Sequence, residues 1–415
     1  MPKPTPGRPY TIVKGDTLTH IARAAFGSGR EWRRIWKANS SVLRSGDPNL
    51  IFPGEVINIP GPKPEIKELE QVEQGLPGKE KDDFTIVIEG REVPVQNGQI
   101  VRAADSAAHG WTADLYNYEA DDELRELLRP YMYREAQAYL GGELVIDGRL
   151  YSVSHSVSKD GIVASLEGWS YSADIVDSSV KPPYEASKIT LEKRARSLID
   201  PLGITVVFDV DEDAPFDRVT ADKTETIFDH LVSLAKQRGV LITSNNKGEL
   251  LFTQANVGES VGTLEEGIPP FQEGEIKFDG RARFNLYKAL GQSPKKNSKT
   301  ATAKDSRVPL SRFTTFTADD STSGDIQKSA NWRRSKQIAE ALTFTIPVPT
   351  WYAPNGSLWA PNTIVTVKSP TLYLEDGYNF LIREVQYDFN DSGTTATLHL
   401  VPPETYTGEE IEEPW

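Results

Sequence analysis

The segment GGELVIDGRLYSVSHSVSKDGIVASLEGWS, residues 141–170, indicates how most of this chain folds. Polar and apolar residues alternate along it, and Asp-Gly pairs stand at 147–148 and 160–161. Alternation is typical of half-buried strands, and Asp-Gly between two such runs is a strong hairpin signal. We therefore predict a β-rich, barrel-like domain over residues 84–183, interrupted by one helix in ADDELRELLRPY, residues 120–131.

The next region alternates between helical and strand patterns. Apolar residues recur at helical spacing over 191–202 and again over 227–235. Each helix is followed by strand-like sequence, ITVVFDV at 204–210 and VLITSNNKGELLFT at 240–253. This αβαββ order predicts a small α+β domain at residues 184–258.

Strand patterns return after this domain. Residues 259–345 predict a mixed strand and helix segment, with a loop at 293–307 that holds five basic residues and one acid. Such a loop is either solvated and flexible or a surface for an acidic partner. Residues 346–406 predict a C-terminal β meander that completes a second barrel, with hairpins at 375–377 and 390–393.

The N-terminal part of the chain is a unit of a different kind. YTIV at 10–13 and VINI at 56–59 are short strand patterns, and two amphipathic helix patterns lie between them. The turn at 15–17 precedes the first helix, which its Asp or Thr side chain can cap. We predict a βααβ unit of roughly 50 residues, near the lower limit for independent folding.

Three motifs over residues 8–61, in the order YTIVKGDTLTHIA, WKANSSVL and DPNLIFPGEVINIP, resemble a LysM domain. The resemblance implies a groove for glycans that contain N-acetylglucosamine, between the first strand-helix loop and the second helix-strand loop. The turns of the fold require several of the same residues, so a LysM unit that serves only for docking is the alternative. The implied groove residues are Gly15, Asp16, Thr17, Leu18, Pro48, Asn49, Leu50 and Ile51.

Charged segments flank the body at residues 84–406. Residues 62–83 hold seven acids, four bases and three prolines, which predicts a linker. The acidic tail at 407–415 is predicted to be mobile or to dock on a basic neighbour.

Composition excludes several classes of function. The chain has no cysteine, which excludes disulfides, thiolate metal sites and cysteine nucleophiles. Its net charge of −14 argues against general binding to nucleic acid. No apolar run approaches the ~18 to 20 residues of a membrane helix, so we expect no membrane insertion. The N-terminus lacks the apolar stretch of a secretory signal, so synthesis in the cytoplasm is expected.

Catalytic motifs are missing from the sequence. No GxSxG, P-loop or GxGxxG pattern occurs, and DVDEDAPFD at 209–217 departs from a calcium loop at Ala214 and Thr220. The histidines are scattered without the spacing of metal ligands, at positions 20, 109, 155, 230 and 399. We predict no enzymatic activity, no catalytic residue, no metal site and no cofactor.

The sequence from Gly356 to Tyr406, which includes GSLWAPNTIVTV and YNFLIREVQYDFNDSGTTATLHLVPPETY, resembles the C-terminal region of Mu-like contractile-phage baseplate hub proteins. NWRRSKQIAEALTFTIPV at 331–348 matches the helix and strand before that region, and residues 84–406 show the same order of parts. The resemblance implies a homotrimer whose paired barrels form a pseudo-sixfold ring between the hexameric tail tube and the trimeric spike.

The predicted fold class is α+β and multidomain: a βααβ LysM unit, then two β-rich, barrel-like segments that flank an α+β insert. The predicted function is a structural baseplate hub whose partners are itself, the tail tube protein, the spike protein and, through LysM, other baseplate proteins. Assembly in the cytoplasm of the bacterial host and a final place in the virion tail are expected. The candidates for subunit contacts, with packing in the core as the alternative for each, are Trp351, Trp359, Tyr373 and Tyr378.

Two alternatives stay open at this point. A peptidoglycan-binding or cell-wall-directed LysM protein is the first, with peptidoglycan as its partner. The second concerns only the setting, since injection particles derived from phage tails use the same kind of hub.

Overall fold

The computed structural model divides the chain into two compact units, Met1–Gln74 and Gly75–Trp415. No helix in the described part of the chain is long and apolar enough to cross a membrane. The structure describes residues 3–26, 32–39, 43–45, 50–60, 79–116, 118, 121–159, 161–211, 214–291, 300–309, 311–317, 326–406 and 411.

The first unit has the predicted βααβ order. Strands β1 (Pro9–Thr11) and β2 (Val56–Asn58) pair antiparallel, and helices α1 (Leu18–Phe26) and α2 (Trp32–Asn39) lie between them in the chain. Asn39 joins the end of α2 to β2. Its side-chain nitrogen donates to the carbonyl of Asn58 at 2.8 Å, and its side-chain oxygen accepts from the Asn58 amide at 2.8 Å. The unit's core consists of Tyr10, Ile12, Leu18, Ile21, Ala22, Ile35, Leu43, Ile57 and Ile59.

The first β-rich segment of the second unit is an antiparallel sheet with the strand order β5-β6-β9-β8-β7-β3-β4, in which β6 neighbours β9 and β7 neighbours β3. Helix α3 is capped by Asp121, whose carboxylate accepts from the Leu124 amide at 2.9 Å. The elements are β3 (Phe84–Ile88), β4 (Arg91–Val93), β5 (Asn97–Ala103), β6 (Gly110–Tyr116), α3 (Asp122–Leu127), β7 (Glu135–Leu140), β8 (Glu143–Ser158), β9 (Gly161–Ser170) and α4 (Asp174–Asp177).

The α+β insert has its own core. Its helices start at threonine caps, Thr190 and Thr226, each of which accepts a backbone hydrogen bond. Strand β11 pairs parallel with β14, β13 pairs antiparallel with β14, and β10 pairs with β12. The elements are β10 (Glu185–Ile189), α5 (Leu191–Ile199), β11 (Val206–Phe208), β12 (Phe216–Thr220), α6 (Ile227–Lys236), β13 (Leu241–Ser244) and β14 (Leu250–Thr253).

The remaining elements build the second β-rich segment and a small outlying sheet, in which β17 pairs with β18 and β19 and α7 packs on that sheet. They are β15 (Ser260–Glu265), β16 (Glu275–Phe278), β17 (Leu286–Leu290), β18 (Thr300–Lys304), β19 (Phe313–Thr317), α7 (Ile326–Glu340), β20 (Leu342–Val348), β21 (Ile364–Ser369), β22 (Leu374–Asn390) and β23 (Gly393–Val401).

The two β-rich segments are joined through β5 and β22, which pair antiparallel. Gln99 on β5 donates to the carboxylate of Asp388 on β22 at 2.8 Å. Thirteen strands of the described chain therefore form one sheet, and a single apolar core extends through both segments. The predicted fold class, α+β with two β-rich segments around an insert, is confirmed; the two segments share their sheet and core.

Several local predictions need correction. Asp147-Gly148 and Glu375-Asp376-Gly377 are not hairpins, because both lie inside long strands, β8 and β22. At Gly148 a Cβ atom would stand 1.8 Å from the carbonyl oxygen of Trp169, so this glycine permits the close approach of β9. The hairpins at 160–161 and 390–393 are confirmed by the pairs Ser158↔Gly161 and Asn390↔Gly393, although Asp160 is outside the described residues.

The proposed segment limits and loops also change in detail. The limit at 345/346 falls inside β20, and residues 300–304 of the predicted basic loop form β18. Residues 292–299 and most of the predicted linker, 61–78, lie outside the described residues. In the tail, Ile411 is buried against Ile338 and Ala339 of α7.

Candidate functional sites: a duplicated sheet and the LysM loops

The large sheet contains the same arrangement of strands twice. The first follows the order β3-β7-β8-β9-β6-β5, and the second follows β15-β21-β22-β23-β20-β16. The two differ at one end, since β3 pairs antiparallel with β7 whereas β15 pairs parallel with β21. Each arrangement has a long central strand that changes partner along its length, β8 in the first and β22 in the second.

The match is residue for residue in the central hairpins. The register of β8 with β9 shifts between Leu150 and Ser152, and that of β22 with β23 shifts between Ile382 and Glu384, 232 positions later in each case. The hairpin pairs Ser158↔Gly161 and Asn390↔Gly393 keep this spacing. Buried Ala164 and Leu166 thus correspond to Ala396 and Leu398, which are identical and equally buried. The chain carries two copies of one architectural unit.

Two of the residues predicted at subunit contacts belong to the core. Trp351 and Trp359 have no exposed surface, and the indole nitrogen of Trp351 donates to the Asp388 carbonyl at 3.3 Å. The hydroxyl of Tyr387 donates to the carbonyl of Trp359. A second chain cannot cover side chains that are already enclosed, so core packing, the alternative, holds for both tryptophans and subunit contact does not.

The two predicted tyrosines lie nearer the surface. Tyr373 is 68% exposed and has a positive φ of 62°, at the end of the short 3₁₀ turn before β22. Tyr378 is half-buried, with its ring 4.8 Å from that of Phe380. Both stay predictions for subunit contact.

The first LysM loop is held by its own polar side chains. Gly15 has a φ of 98°, and the carboxylate of Asp16 accepts from the Val13 amide and the Tyr10 hydroxyl, each at 2.9 Å. Thr17 accepts from the His20 amide at 3.1 Å and so caps α1. Leu18 is buried in the core. All four predicted groove residues of this loop therefore have a structural role, and glycan contact stays a prediction.

The second loop presents apolar surface. Leu50 is 50% exposed, while Ile51 packs partly against the core; Pro48 and Asn49 lie outside the described residues. Glu55, which the sequence analysis did not single out, organises this loop: its carboxylate accepts from the amides of Phe52 at 2.8 Å and Arg44 at 2.9 Å. These backbone hydrogen bonds lower the pKa of Glu55. In the sequence, the signal that could have identified Glu55 is an acidic residue directly after a turn glycine, Gly54.

Two histidines of the body are buried and lie within packing contacts. His109 Nε2 lies 3.0 Å from the Ala103 carbonyl and 3.2 Å from the Thr243 hydroxyl, so it ties the insert to β5. Burial, with the nearby Arg102 charge, lowers its pKa to about 3. Burial also lowers the pKa of His230 to about 4, beside the Arg194 guanidinium that donates to it at 3.1 Å. Both are neutral near pH 7.

The described residues hold no cluster of three or more His, Cys, Asp or Glu side chains that could bind a metal. Arg102 continues the link between insert and sheet, since it donates to the side-chain oxygen of Asn246 at 2.5 Å. The buried polar groups therefore fasten the insert where the two halves of the sheet meet.

Comparison with known proteins agrees with this geometry. Family models match a LysM domain at residues 10–60, the second domain of gp44-like baseplate hub proteins at 172–254, and the fourth domain of the Mu phage baseplate assembly protein GpP at 322–409. Over 293 residues the chain is 30% identical to the baseplate hub protein gp44 of Escherichia phage Mu, which covers 64% of this chain and 74% of gp44. The chain belongs to the gp44-like family of baseplate hub proteins.

This gp44-like hub protein shares its fold with two solved tail proteins. The 43 kDa tail protein of prophage MuSo2 from Shewanella oneidensis is 24% identical, with a TM-score of 0.69 over 78% of this chain and 99% of that one. The tail protein from Neisseria meningitidis MC58 is 21% identical, with a TM-score of 0.69 over 78% and 98%. The predicted resemblances, LysM followed by a Mu-like hub, are confirmed, and the protein is a structural component of a phage-type tail baseplate.

Proposed function

We propose that this hub protein is a homotrimeric symmetry adapter that joins a sixfold tail tube to a trimeric spike. The supporting observation is the duplicated sheet, whose two central hairpins keep a constant spacing of 232 residues between equivalent positions. Three chains with two equivalent sheet halves each present six similar surfaces to a hexameric ring. Closed symmetric assembly is the usual outcome for soluble oligomers, and it matches the two halves to the six tube subunits.

The parts that occur once per chain suit the threefold side. The α+β insert and the outlying sheet of β17, β18, β19 and α7 have no duplicate among the described elements. A trimer would carry three copies of each part around its axis, which matches the threefold symmetry of a trimeric spike. His109 and Arg102 hold the insert in a fixed position on the sheet, as an adapter requires.

The role is structural and non-enzymatic in this proposal. The two buried histidines of the body are engaged in packing, and the acidic side chains of the described chain form no metal cluster. We expect no release of soluble fragments from peptidoglycan incubated with the protein. Assembly takes place in the cytoplasm of the host bacterium, before the finished particle carries the hub in its tail.

Light scattering coupled to size-exclusion chromatography tests the adapter role. Three copies of the 46.0 kDa chain give about 138 kDa for the hub alone, and a complex with tube and spike proteins should contain three hub chains and have a larger mass. A particle that stays at 46.0 kDa in all these mixtures would refute the trimer.

LysM serves as a docking module on another baseplate protein in this proposal. Its second loop exposes Leu50 by 50% and Phe52 by 40%, an apolar surface that a protein partner can cover. Leu50→Ser should weaken recovery of baseplate proteins with the tagged hub, whereas Val56→Ser, also exposed but on β2, should not. Retention on insoluble peptidoglycan that Leu50→Ser abolishes would favour the glycan-binding alternative.

A further inference from the structure

Among the strand edges of the described sheet that have no partner in the single chain, two belong to strands whose equivalents are paired on both sides. The second half of β8, Ser152–Ser158, pairs with β9 on one side only, and β16 pairs only with β20 among the described strands. Their equivalents in the other half are closed. The second half of β22 lies between β23 and β5, and β5 lies between β6 and β22. Each open edge thus corresponds to an edge that the chain itself fills elsewhere.

The β8 edge is suited to pairing, whereas β16 carries two charged residues, Glu275 and Lys277. The sequence SVSHSVS at 152–158 has no proline, lysine or acidic residue, the devices that usually protect an edge strand. Val157 is 78% exposed at this edge, and Phe278 at the end of β16 is 45% exposed. Exposed apolar side chains beside unpaired backbone groups mark a place where another strand can add.

We infer that β16 of one chain pairs antiparallel with the second half of β8 of a neighbouring copy, in the manner in which β5 pairs with β22 inside the chain. The inference rests on the proposed homotrimer and specifies its interface. Each chain offers one edge of each kind, so the contact is head-to-tail, and three copies close it into a ring. Three joints between chains then alternate with the three joints inside chains.

The duplication also fixes the register of this pairing. On β8, Ser156 is equivalent to Asp388, which pairs with Gln99 of β5. Thr112 of β6 and Thr345 of β20 are equivalent, because they pair with Glu167 and His399, which are 232 positions apart. Gln99 pairs with Thr112 and Glu275 pairs with Thr345, so Glu275 on β16 is equivalent to Gln99. Ser156 of one copy therefore lies opposite Glu275 of the next.

A packing feature that β5 and β16 share agrees with this register. The residue before Gln99 and the residue before Glu275 are both glycines, and both are covered by a phenylalanine ring. A Cβ atom on Gly98 would lie 2.3 Å from Phe84, and one on Gly274 would lie 2.8 Å from Phe271. The β5 and β16 edges thus share a special packing feature at the same register position.

We call the pairing of β5 with β22 inside one chain the inner joint, and the inferred pairing of β16 with β8 of a neighbouring copy the outer joint. The side chains at the inner joint indicate which residues meet at the outer joint. The ring of Phe389 stacks on Phe84 with centroids 5.7 Å apart, over Gly98. The equivalent of Phe389 is Val157, so in the trimer Val157 lies opposite Gly274 of the neighbouring copy, as Phe389 lies opposite Gly98. This contact accounts for the exposure of Val157 in the single chain.

Engineered disulfides test the interface, and the natural chain contains no cysteine to confuse the result. Directly opposed residues of an antiparallel pair have Cα atoms about 4.5 to 5.5 Å apart, within the range that a disulfide spans. In the purified trimer, or in the trimeric complex with tube and spike, Ser156→Cys with Glu275→Cys should give covalent dimers and trimers on non-reducing gels. Reductant should return them to single chains.

Two matched variants calibrate the experiment. Gln99→Cys with Asp388→Cys places the same pair at the inner joint, where the cross-link forms within one chain and leaves its mass unchanged. Ser152→Cys with Glu275→Cys shifts the pair by four residues, or about 13 Å along the strand, and should not cross-link. A trimer in which only the inner pair reacts would overturn the inferred interface and leave the trimer intact. A chain that is monomeric in every mixture overturns both.

Discussion

Val157 should contribute to trimer stability far more than to the fold of one chain. Its side chain is 78% exposed in the single chain, so Val157→Ala removes little buried surface there. In the inferred joint the same side chain is covered by the neighbouring copy, opposite Gly274. The substitution therefore separates assembly from folding.

The size of the effect follows from the surface that the joint buries. Valine has two more methyl-sized groups than alanine, each worth ~0.8 kcal/mol when buried, and about three quarters of the side chain becomes buried on assembly. Each joint loses roughly 1.2 kcal/mol, and three joints lose about 3.6 kcal/mol per trimer. Because three chains associate at once, the midpoint concentration varies as the square root of the equilibrium constant and rises about 20-fold.

Sedimentation equilibrium over a dilution series measures this midpoint. Val257→Ala is the matched control, because Val257 is 73% exposed and lies between β14 and β15, away from both open edges. Urea denaturation checks that both variants fold as the natural chain does. Equal midpoints for Val157→Ala and Val257→Ala would refute the assignment of the β8 edge to the subunit interface.

Three further predictions concern folding. The pKa of His109 is lowered to about 3, so its contribution to stability is complete above the unfolded pKa of about 6.5 and is lost as pH falls towards 3; His109→Gln should flatten urea midpoints over this range, and an unchanged slope would contradict it. Trp359→Ala should lower the free energy of unfolding by about 3 to 5 kcal/mol in urea melts, since the indole is fully enclosed. Asn39→Ala should cost about 1 to 3 kcal/mol in the LysM transition alone, because the Asn58 amide loses its acceptor; calorimetry that shows the body transition moving instead would be evidence against this.

The sequence predicted features that depend on neighbouring residues. The amphipathic helices of the LysM unit, the hairpin between β8 and β9, and the helices of the insert all follow from local periodicity and turn residues. Strands β10 and β12 were missed because both are largely exposed and lack a clear alternation. Asp147-Gly148 was misassigned because a turn signal cannot be distinguished locally from a glycine that admits a neighbouring strand.

Long-range pairing was beyond local reasoning. Gln99 and Asp388, whose side chains bond at the inner joint, are 289 residues apart in sequence. Trp351 and Trp359 lie between β20 and β21, outside any named strand, and no periodicity in that stretch shows that both enter the core. The hub resemblance implied paired barrels, but the equivalent strands share few identical residues. The registers of the paired strands in the two central hairpins revealed the duplication.

The differences between the two joints follow from when each one forms. The inner joint closes as the chain folds, so β22 can carry Tyr387, which is fully buried, and Phe389. The outer edge must stay in water until another copy arrives. At the equivalent positions β8 has His155 and Val157, and serines occupy the alternate positions. Small polar side chains can stay in contact with water while they leave the backbone groups of the open edge available for pairing. A duplicated sheet can in this way complete one joint alone and reserve the other for assembly.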